Sequence, residues 1–264
     1  MGKTNLSTDQ LKFWKENSYL VFKGLLADQI GEVSGWVDEI LQWPEDMSKW
    51  MTFYEMNDPE KVSRVENFVP YHKGVGSTLL NEELRGTVSQ LMGEEAILYK
   101  DRINFKPSGG GAHSAHQDGV AYESGALAEF DKETSPYISI LVGIDGADSH
   151  NGCFEVVSNW PLSNYSILPM ENPDPEHPNF SKITQKAEDS LDWIQIDTDP
   201  GDVILFTERL PHRSGTNNSN DRRRILYGVF NPISEGDKRE KYYEDKRKNL
   251  NDARYMIGNP HAPS

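Results

Sequence analysis

The sequence predicts a mainly β fold with helical support: a jelly-roll, or double-stranded β-helix, with N-terminal helices packed on one of its sheets. Three observations predict it. Helical periodicity is concentrated before Glu95. Beyond it, the runs AILYKDRINFKP, PYISILVGIDG, CFEVVSNW, DWIQIDT and GDVILFT are short, β-rich and bounded by Gly, Pro, Asp and Asn. No strand–helix–strand alternation and no repeat of fixed period is visible, which excludes a doubly wound sheet or a solenoid.

Ser7 and Gln10 have the spacing of a capping box ahead of a helix that carries Leu11, Phe13 and Trp14. YLVFKGLL reads as a strand and a turn. Asp28 then opens a helix with Ile30, Val33, Trp36, Val37, Ile40 and Leu41 on one stripe, so Trp36 is expected in the core. Residues 45–75 scatter Trp50, Phe53, Tyr54, Phe68 and Tyr71 among polar residues without a period, which predicts irregular covering structure of the kind that forms lids. A helical pattern resumes from Leu79 to Met92 and stops at Gly93. The β runs continue to RRILYGVFNP. The tail EGDKREKYYEDKRKNLNDAR, dense in both charge signs, predicts an exposed helix without chemistry. A single domain is expected over residues 1–264, with a helical part about 1–95, a jelly-roll core about 96–232 and a charged helix about 235–256.

The net charge of −15 argues against a general affinity for nucleic acid or for an anionic membrane, and any anion bound must meet a local basic cluster. Cys153 is the single cysteine, so no intrachain disulfide forms and a cytoplasmic location is expected. The first residues lack the apolar run of a signal peptide, and Leu6 stands where a myristoylation motif needs Ser or Thr. The expected partner is a small-molecule substrate, handled by a monomer or homodimer.

The stretch GGGAHSAHQDGVAY places His116 and Asp118 two residues apart, on one face if the strand is extended. Two His and one carboxylate on one face of an octahedron leave three positions open, the arrangement of non-haem Fe(II) oxygenases. An HxD pair is a weak signal until a third ligand joins it. His212, far downstream after GDVILF, is the candidate, because the facing sheets of such a fold bring distant strands together. Arg222, Arg223 and Arg224 follow on a further strand, where a guanidinium suits bidentate capture of a carboxylate.

These motifs resemble the phytanoyl-CoA dioxygenase family of Fe(II)- and 2-oxoglutarate-dependent oxygenases, from LSTDQLKFWKENSYLVFKGLL through INFKPSGGGAHSAHQD, NGCFEVV and PGDVILF to PHRSGTNNSNDRRR. The resemblance covers most of residues 5–232. It implies Fe(II) held by His116, Asp118 and His212, with 2-oxoglutarate and O2 as co-substrates. It also implies Arg223, eleven residues after His212, as partner of the distal carboxylate of 2-oxoglutarate, with Ser214 assisting and Gln117 and Asn104 near the cofactor. Strand alternation sets Arg222 and Arg224 opposite Arg223 but leaves open which face is inward. Ser158, Asn159, Trp160 and Pro161 depart from the family's usual proline and GSH turn, which bears on substrate specificity and leaves the metal site intact.

Among the other histidines, His113 falls on the opposite face from His116 if the strand is regular; it is a hydrogen-bonded loop residue or substrate contact, not a fourth ligand. His150, His177 and His261 sit in turn-rich stretches and are expected in solvent, whereas His72 is a candidate to reach the pocket from the N-terminal cover. Tyr122 is placed to line the substrate side. The face Lys100, Arg102, Asn104 and Lys106 is either solvent-facing, expected for most of it, or a basic lining for an anion, with Lys106 as the candidate contact. The glycine run and Tyr122 look most like the branch acting on aminoalkylphosphonates such as 2-aminoethylphosphonate, which implies α-carbon hydroxylation in phosphonate catabolism. The same chemistry on a secondary metabolite, a compatible solute or an acyl group is the alternative. A cupin-like metal-binding module without oxygenase activity is the alternative from another class, but it has no use for an arginine at that spacing.

Overall fold

The computed structural model describes residues 6–56, 58–121, 137–177 and 180–257. Two antiparallel sheets face each other. The larger has the order β1-β11-β6-β13-β4-β3-β2 and the smaller β10-β7-β12-β5. The large sheet is built from β1 (Tyr19–Phe22), β2 (Met51–Glu55), β3 (Asp58–Glu66), β4 (Ala96–Lys106), β6 (Ile138–Gly143), β11 (Val203–Thr207) and β13 (Arg223–Pro232). The small sheet takes β5 (His113–His116), β7 (Phe154–Val157), β10 (Trp193–Ile196) and β12 (His212–Ser214). A two-residue pair, β8 (Met170–Glu171) with β9 (Lys182–Ile183), stands apart. This is the jelly-roll that the short turn-bounded runs predict.

Alternation along the central strands divides the interior into two cores. Ile138, Ile140 and Val142 of β6, Val203 and Leu205 of β11, and Leu226 of β13 face one cluster, which the N-terminal helices cover with Trp14, Val33, Val37, Ile40, Leu84 and Val88. Leu141, Ile204, Phe206, Ile225 and Tyr227 point the other way, to meet Phe154 and Val156 of the small sheet. The functional pocket opens at one end of this second layer. This division also decides the face left open by sequence: Arg223, two before Ile225, lies between the sheets.

The helices are α1 (Thr8–Asn17), α2 (Ile30–Leu41), α3 (Lys73–Leu79) and α4 (Glu82–Met92). The capping box on α1 forms as expected, with Ser7 Oγ accepting from the Gln10 N–H at 3.1 Å. Gly74 lets α3 close on α2, since a Cβ there would lie 2.6 Å from the Trp36 ring. Trp36 packs against the core, as its position on the stripe predicts.

Three expectations are corrected. Residues 51–55 and 58–66 are not irregular cover but β2 and β3, the edge of the large sheet; register shifts at Phe53/Tyr54 and Tyr54/Glu55 break the period of two that would have revealed them. The helical pattern at Leu79–Met92 divides, because Asn81 Oδ1 accepts from the N–H groups of Glu83 and Leu84 and starts α4 afresh. The C-terminal segment forms a helix over Arg239–Lys248 and a short one over Ala253–Met256, and it is not merely exposed: Tyr243 and Lys246 are buried. Among the described residues no helix is long and apolar enough to cross a membrane.

Candidate metal centre and its pocket

β12 lies between β5 and β7 in the small sheet, with His212 directly opposite His116. Asp118 is not on the strand with His116, as the spacing suggested, but opens the 3₁₀ turn Asp118–Ala121. That turn swings its carboxylate back, so that Oδ1 lies 3.6 Å from His116 Nε2 and 4.0 Å from His212 Nε2. One ligand atom from each of the three residues falls within 4.8 Å of the others, and all three side chains are buried. Phe154 and Phe206 pack on the His212 ring at 5.3 and 5.0 Å.

The hydrogen bonds around the triad suit a cation. His116 Nδ1 lies 2.7 Å from Ser114 O and His212 Nδ1 lies 2.9 Å from Leu210 O. A carbonyl oxygen only accepts, so each Nδ1 carries the proton and each Nε2 offers a lone pair inward. Burial, followed by the neighbouring His116, pulls His212 down to about 3, which keeps it neutral as a ligand must be. Burial alone would push Asp118 up, yet His116, His212, Lys100 and Arg102 hold its carboxyl well below the usual range. Its Oδ2 is buried with no partner among the described residues, an orphan acceptor that a metal would satisfy.

On one side of the triad stand Arg223, Lys106 and Ser214. Arg223 is 2% exposed; it donates from Nη2 to Gly152 O at 2.6 Å, and its Nε has no partner among the described residues. Lys106, opposite it in register, donates to Ser214 Oγ at 2.9 Å and to Gly215 O. Burial and the adjacent Arg223 pull Lys106 down to about 6. Gly152 makes this cradle possible: its φ is +75° and a Cβ there would lie 2.2 Å from Gly215 O. The neighbouring arginine differs completely. Arg224 forks onto Asp145 at 2.7 and 2.9 Å and reaches Asp38 at 2.8 Å, so its charge is spent on structure.

On the other side, a cavity of about 30 Å³ is lined by His113, His116 and Asp118 and by Arg64, Glu66, Lys100, Arg102 and Lys246. The face Lys100, Arg102, Asn104 and Lys106 therefore points inward, correcting the expectation of solvent for most of it. Lys106, expected as a substrate contact, joins Arg223 instead. His113 lies on the pocket side with His116 because β5 bulges: His116 pairs with His212 and His113 with Ser214, so three steps on one strand face two on the other. Its Nδ1 is 3.4 Å from Ser214 Oγ, and burial, aided by Lys106 and Arg64, holds it well below the usual histidine value.

The phytanoyl-CoA dioxygenase family matches residues 14–225. The chain belongs to that family. As a member it is an iron- and 2-oxoglutarate-dependent dioxygenase acting on a small molecule. It is 35% identical to a 2-aminoethylphosphonate dioxygenase from an uncultured bacterium, HF130_AEPn_1, across 91% of this chain and 87% of that protein. It is 34% identical to a methylphosphonate hydroxylase of Gimesia maris, across 94% and 89% respectively. Among solved structures, EctD from S. alaskensis with 2-oxoglutarate and 5-hydroxyectoine shares the fold, with a TM-score of 0.70 at 20% identity over 87% of this chain and 77% of that one.

The remaining expected contacts divide. Asn104 is buried on β4 and its Oδ1 has no partner among the described residues, as suits a residue awaiting a ligand. Gln117 is instead saturated by main chain: it donates to Ser166 O and Arg209 O and accepts from Leu168 N–H, bracing the loop beyond Trp160. His72 does not line the pocket; its ring caps α3, accepting from Val75 N–H, between Trp36 and Trp43. His150 is in solvent as expected, but His177 is half-buried against Asp174. Tyr122 and His261 lie outside the described residues. Sequence reasoning missed Arg64, Glu66, Lys246, Arg254 and Tyr255 as lining residues. They lie far from the motifs, in two stretches distant from each other along the chain, and the one available signal was the demand of a −15 chain for a local cationic cluster.

Proposed function

We propose that this dioxygenase hydroxylates a small alkylphosphonate of the 2-aminoethylphosphonate type at the carbon next to phosphorus. The observation that carries the reading is the cationic chamber beside the metal ligands. Arg64, Lys100, Arg102, Lys246 and Arg254 line one cavity with His116 and Asp118 and outnumber its other acids, Glu66 and Asp101, in a chain whose net charge is −15. A phosphonate dianion is the chemistry such a chamber complements, and the two relatives named for phosphonates support it.

In this reading His116, Asp118 and His212 hold the iron, with the Nδ1 hydrogen bonds fixing the ring tautomers. When bound, iron with 2-oxoglutarate and O2 supplies the oxidising power, and 2-oxoglutarate leaves as succinate and carbon dioxide. Arg223 and Lys106 grip the distal carboxylate of the co-substrate, Ser214 orients Lys106, and Asn104 completes the lining. Phe154 and Phe206 keep water from the His212 side. The cationic chamber clamps the phosphonate oxygens, so that the adjoining carbon, and not a remote one, is presented to the metal. His113, held neutral, hydrogen-bonds without adding charge. The protein acts without nucleic acid or membrane, in the cytoplasm.

The test is a panel of 2-aminoethylphosphonate, methylphosphonate, ectoine and a short acyl-CoA with iron-loaded enzyme, scored by succinate release. Succinate coupled to a phosphonate supports the reading. Coupling to ectoine or acyl-CoA, with none to phosphonates, would falsify it.

A further inference from the structure

The helix Arg239–Lys248 lies beyond the family-matched residues 14–225, yet it builds one wall of the iron cavity. An ion pair and hydrogen bonds fasten it. Arg239 is ion-paired with the buried Asp101 of β4, whose Oδ2 also accepts from the N–H of Phe68 at 2.8 Å. Tyr243 donates to Asp101 O at 2.9 Å, and Arg247 donates to Met47 O at 2.8 Å. Thus held, the helix points Lys246 at Glu66 of β3, 2.6 Å away, with the lysine side chain 3% exposed. Arg64, two residues before Glu66 on the same strand face, holds the carboxylate's other oxygen at 3.1 Å.

One carboxylate thus stands between two cations. Glu66 occupies one donor of an ammonium that has three and part of a guanidinium that has five. Arg64 is 6% exposed and lines the cavity, and its Nε has no partner among the described residues. Phe53 and Tyr255, 5.0 and 5.7 Å from Lys246 Nζ, confine the ammonium in position. A buried surplus of positive charge with unspent donors is costly unless a ligand supplies the missing acceptors.

We propose that Arg64 and Lys246, spaced by Glu66, form the subsite that grips the substrate's oxyanion headgroup. A helix outside the family-matched span then sets which acids the enzyme accepts. A tetrahedral dianion with three oxygens brings more acceptors and more negative charge to the donors that Glu66 leaves unspent than a planar monoanionic carboxylate does. The inference rests on the phosphonate reading and adds to it the residues that select the headgroup.

The experiment compares the wild type with Lys246→Met, Lys246→Arg and Arg64→Lys as iron-loaded full-length enzymes. Three quantities are read: KM for 2-aminoethylphosphonate, 2-oxoglutarate affinity from the anaerobic visible band, and calorimetric binding of inorganic phosphate. Lys246→Met is expected to raise KM and weaken phosphate binding by about ten- to a hundredfold, with 2-oxoglutarate affinity unchanged. Lys246→Arg should recover most of the loss. Arg64→Lys, which keeps the charge but not the fork, should show an intermediate KM and serves if Lys246→Met does not fold. Equal KM and equal phosphate affinity in wild type and Lys246→Met, or in wild type and Arg64→Lys, would overturn the subsite. If the wild type couples no phosphonate to succinate but binds phosphate through Lys246, the substrate reading fails and the anion subsite stands.

Discussion

The two ends of the pocket are both cationic, but they are built differently. Arg223, Lys106 and Ser214 sit on β13, β4 and β12, inside the paired strands and inside the family-matched residues 14–225. Arg64 and Lys246 come from near the sheet edge and from a helix beyond that span, joined through Glu66. The first end is fixed by strand register, the second by a buried ion network. Under the proposed assignment, the co-substrate end rests on the sandwich itself, while the substrate end draws in part on an element outside the family-matched span.

Removing the metal should defeat both ends at once, the largest effect expected. Asp118→Ala leaves two imidazoles, and succinate formation should fall to background with iron content measured by atomic absorption falling in parallel. Full iron occupancy in that variant would contradict the ligand assignment. Next in size, Glu66→Ala leaves Arg64 and Lys246 buried without a counter-charge and should cost about 3–5 kcal/mol in urea unfolding. Gly152→Ala should damage only the co-substrate end: the Cβ placed 2.2 Å from Gly215 O forces the cradle apart. A fall in 2-oxoglutarate affinity of about tenfold, with phosphate binding unchanged, is expected.

The smallest effects lie in pH dependence, and their signs differ between processes. Burial is the main cause that pulls Lys246 down to about 8 and Lys100 to about 7. Both are charged below those values, so phosphonate affinity should weaken as pH rises through 7–8. Stability of the substrate-free protein should move the other way. Above pH 8 the unfolded chain still carries the lysine protons that the folded one has lost, so stability rises with pH towards 9.5. At the acid end burial would raise Glu66, but Lys246 and Arg64 bring it down to about 2 from 4.5. Its stabilisation is present above about 4.5 and lost as pH falls towards 2. A melting temperature that fell between pH 8 and 9.5 would contradict the burial of these lysines.

The end built on strands was the legible one. His116, Asp118, His212 and Arg223 announce themselves by residue type and spacing, and regular alternation carries the argument as far as the strands stay regular. Where they bulge it fails. His113 appears on the wrong face because β5 bulges at that pairing, and β2 and β3 read as irregular cover because of shifts at Phe53 and Tyr54. Lys246 and Glu66 lie 180 residues apart, so their pairing leaves no local pattern. A tail dense in both signs reads as a solvated helix, and burial of one lysine within it is decided by tertiary contacts at Asp101 and Met47.

The measurement that tests the account most directly is the product balance of wild-type enzyme supplied with Fe(II), 2-oxoglutarate, O2 and 2-aminoethylphosphonate. Phosphorus NMR would follow the phosphonate and chromatography the succinate. The account predicts a 1-hydroxy phosphonate and succinate in equal amounts, both abolished in His212→Ala. Succinate formed at the same rate with and without phosphonate, with the phosphorus signal unchanged, would contradict it.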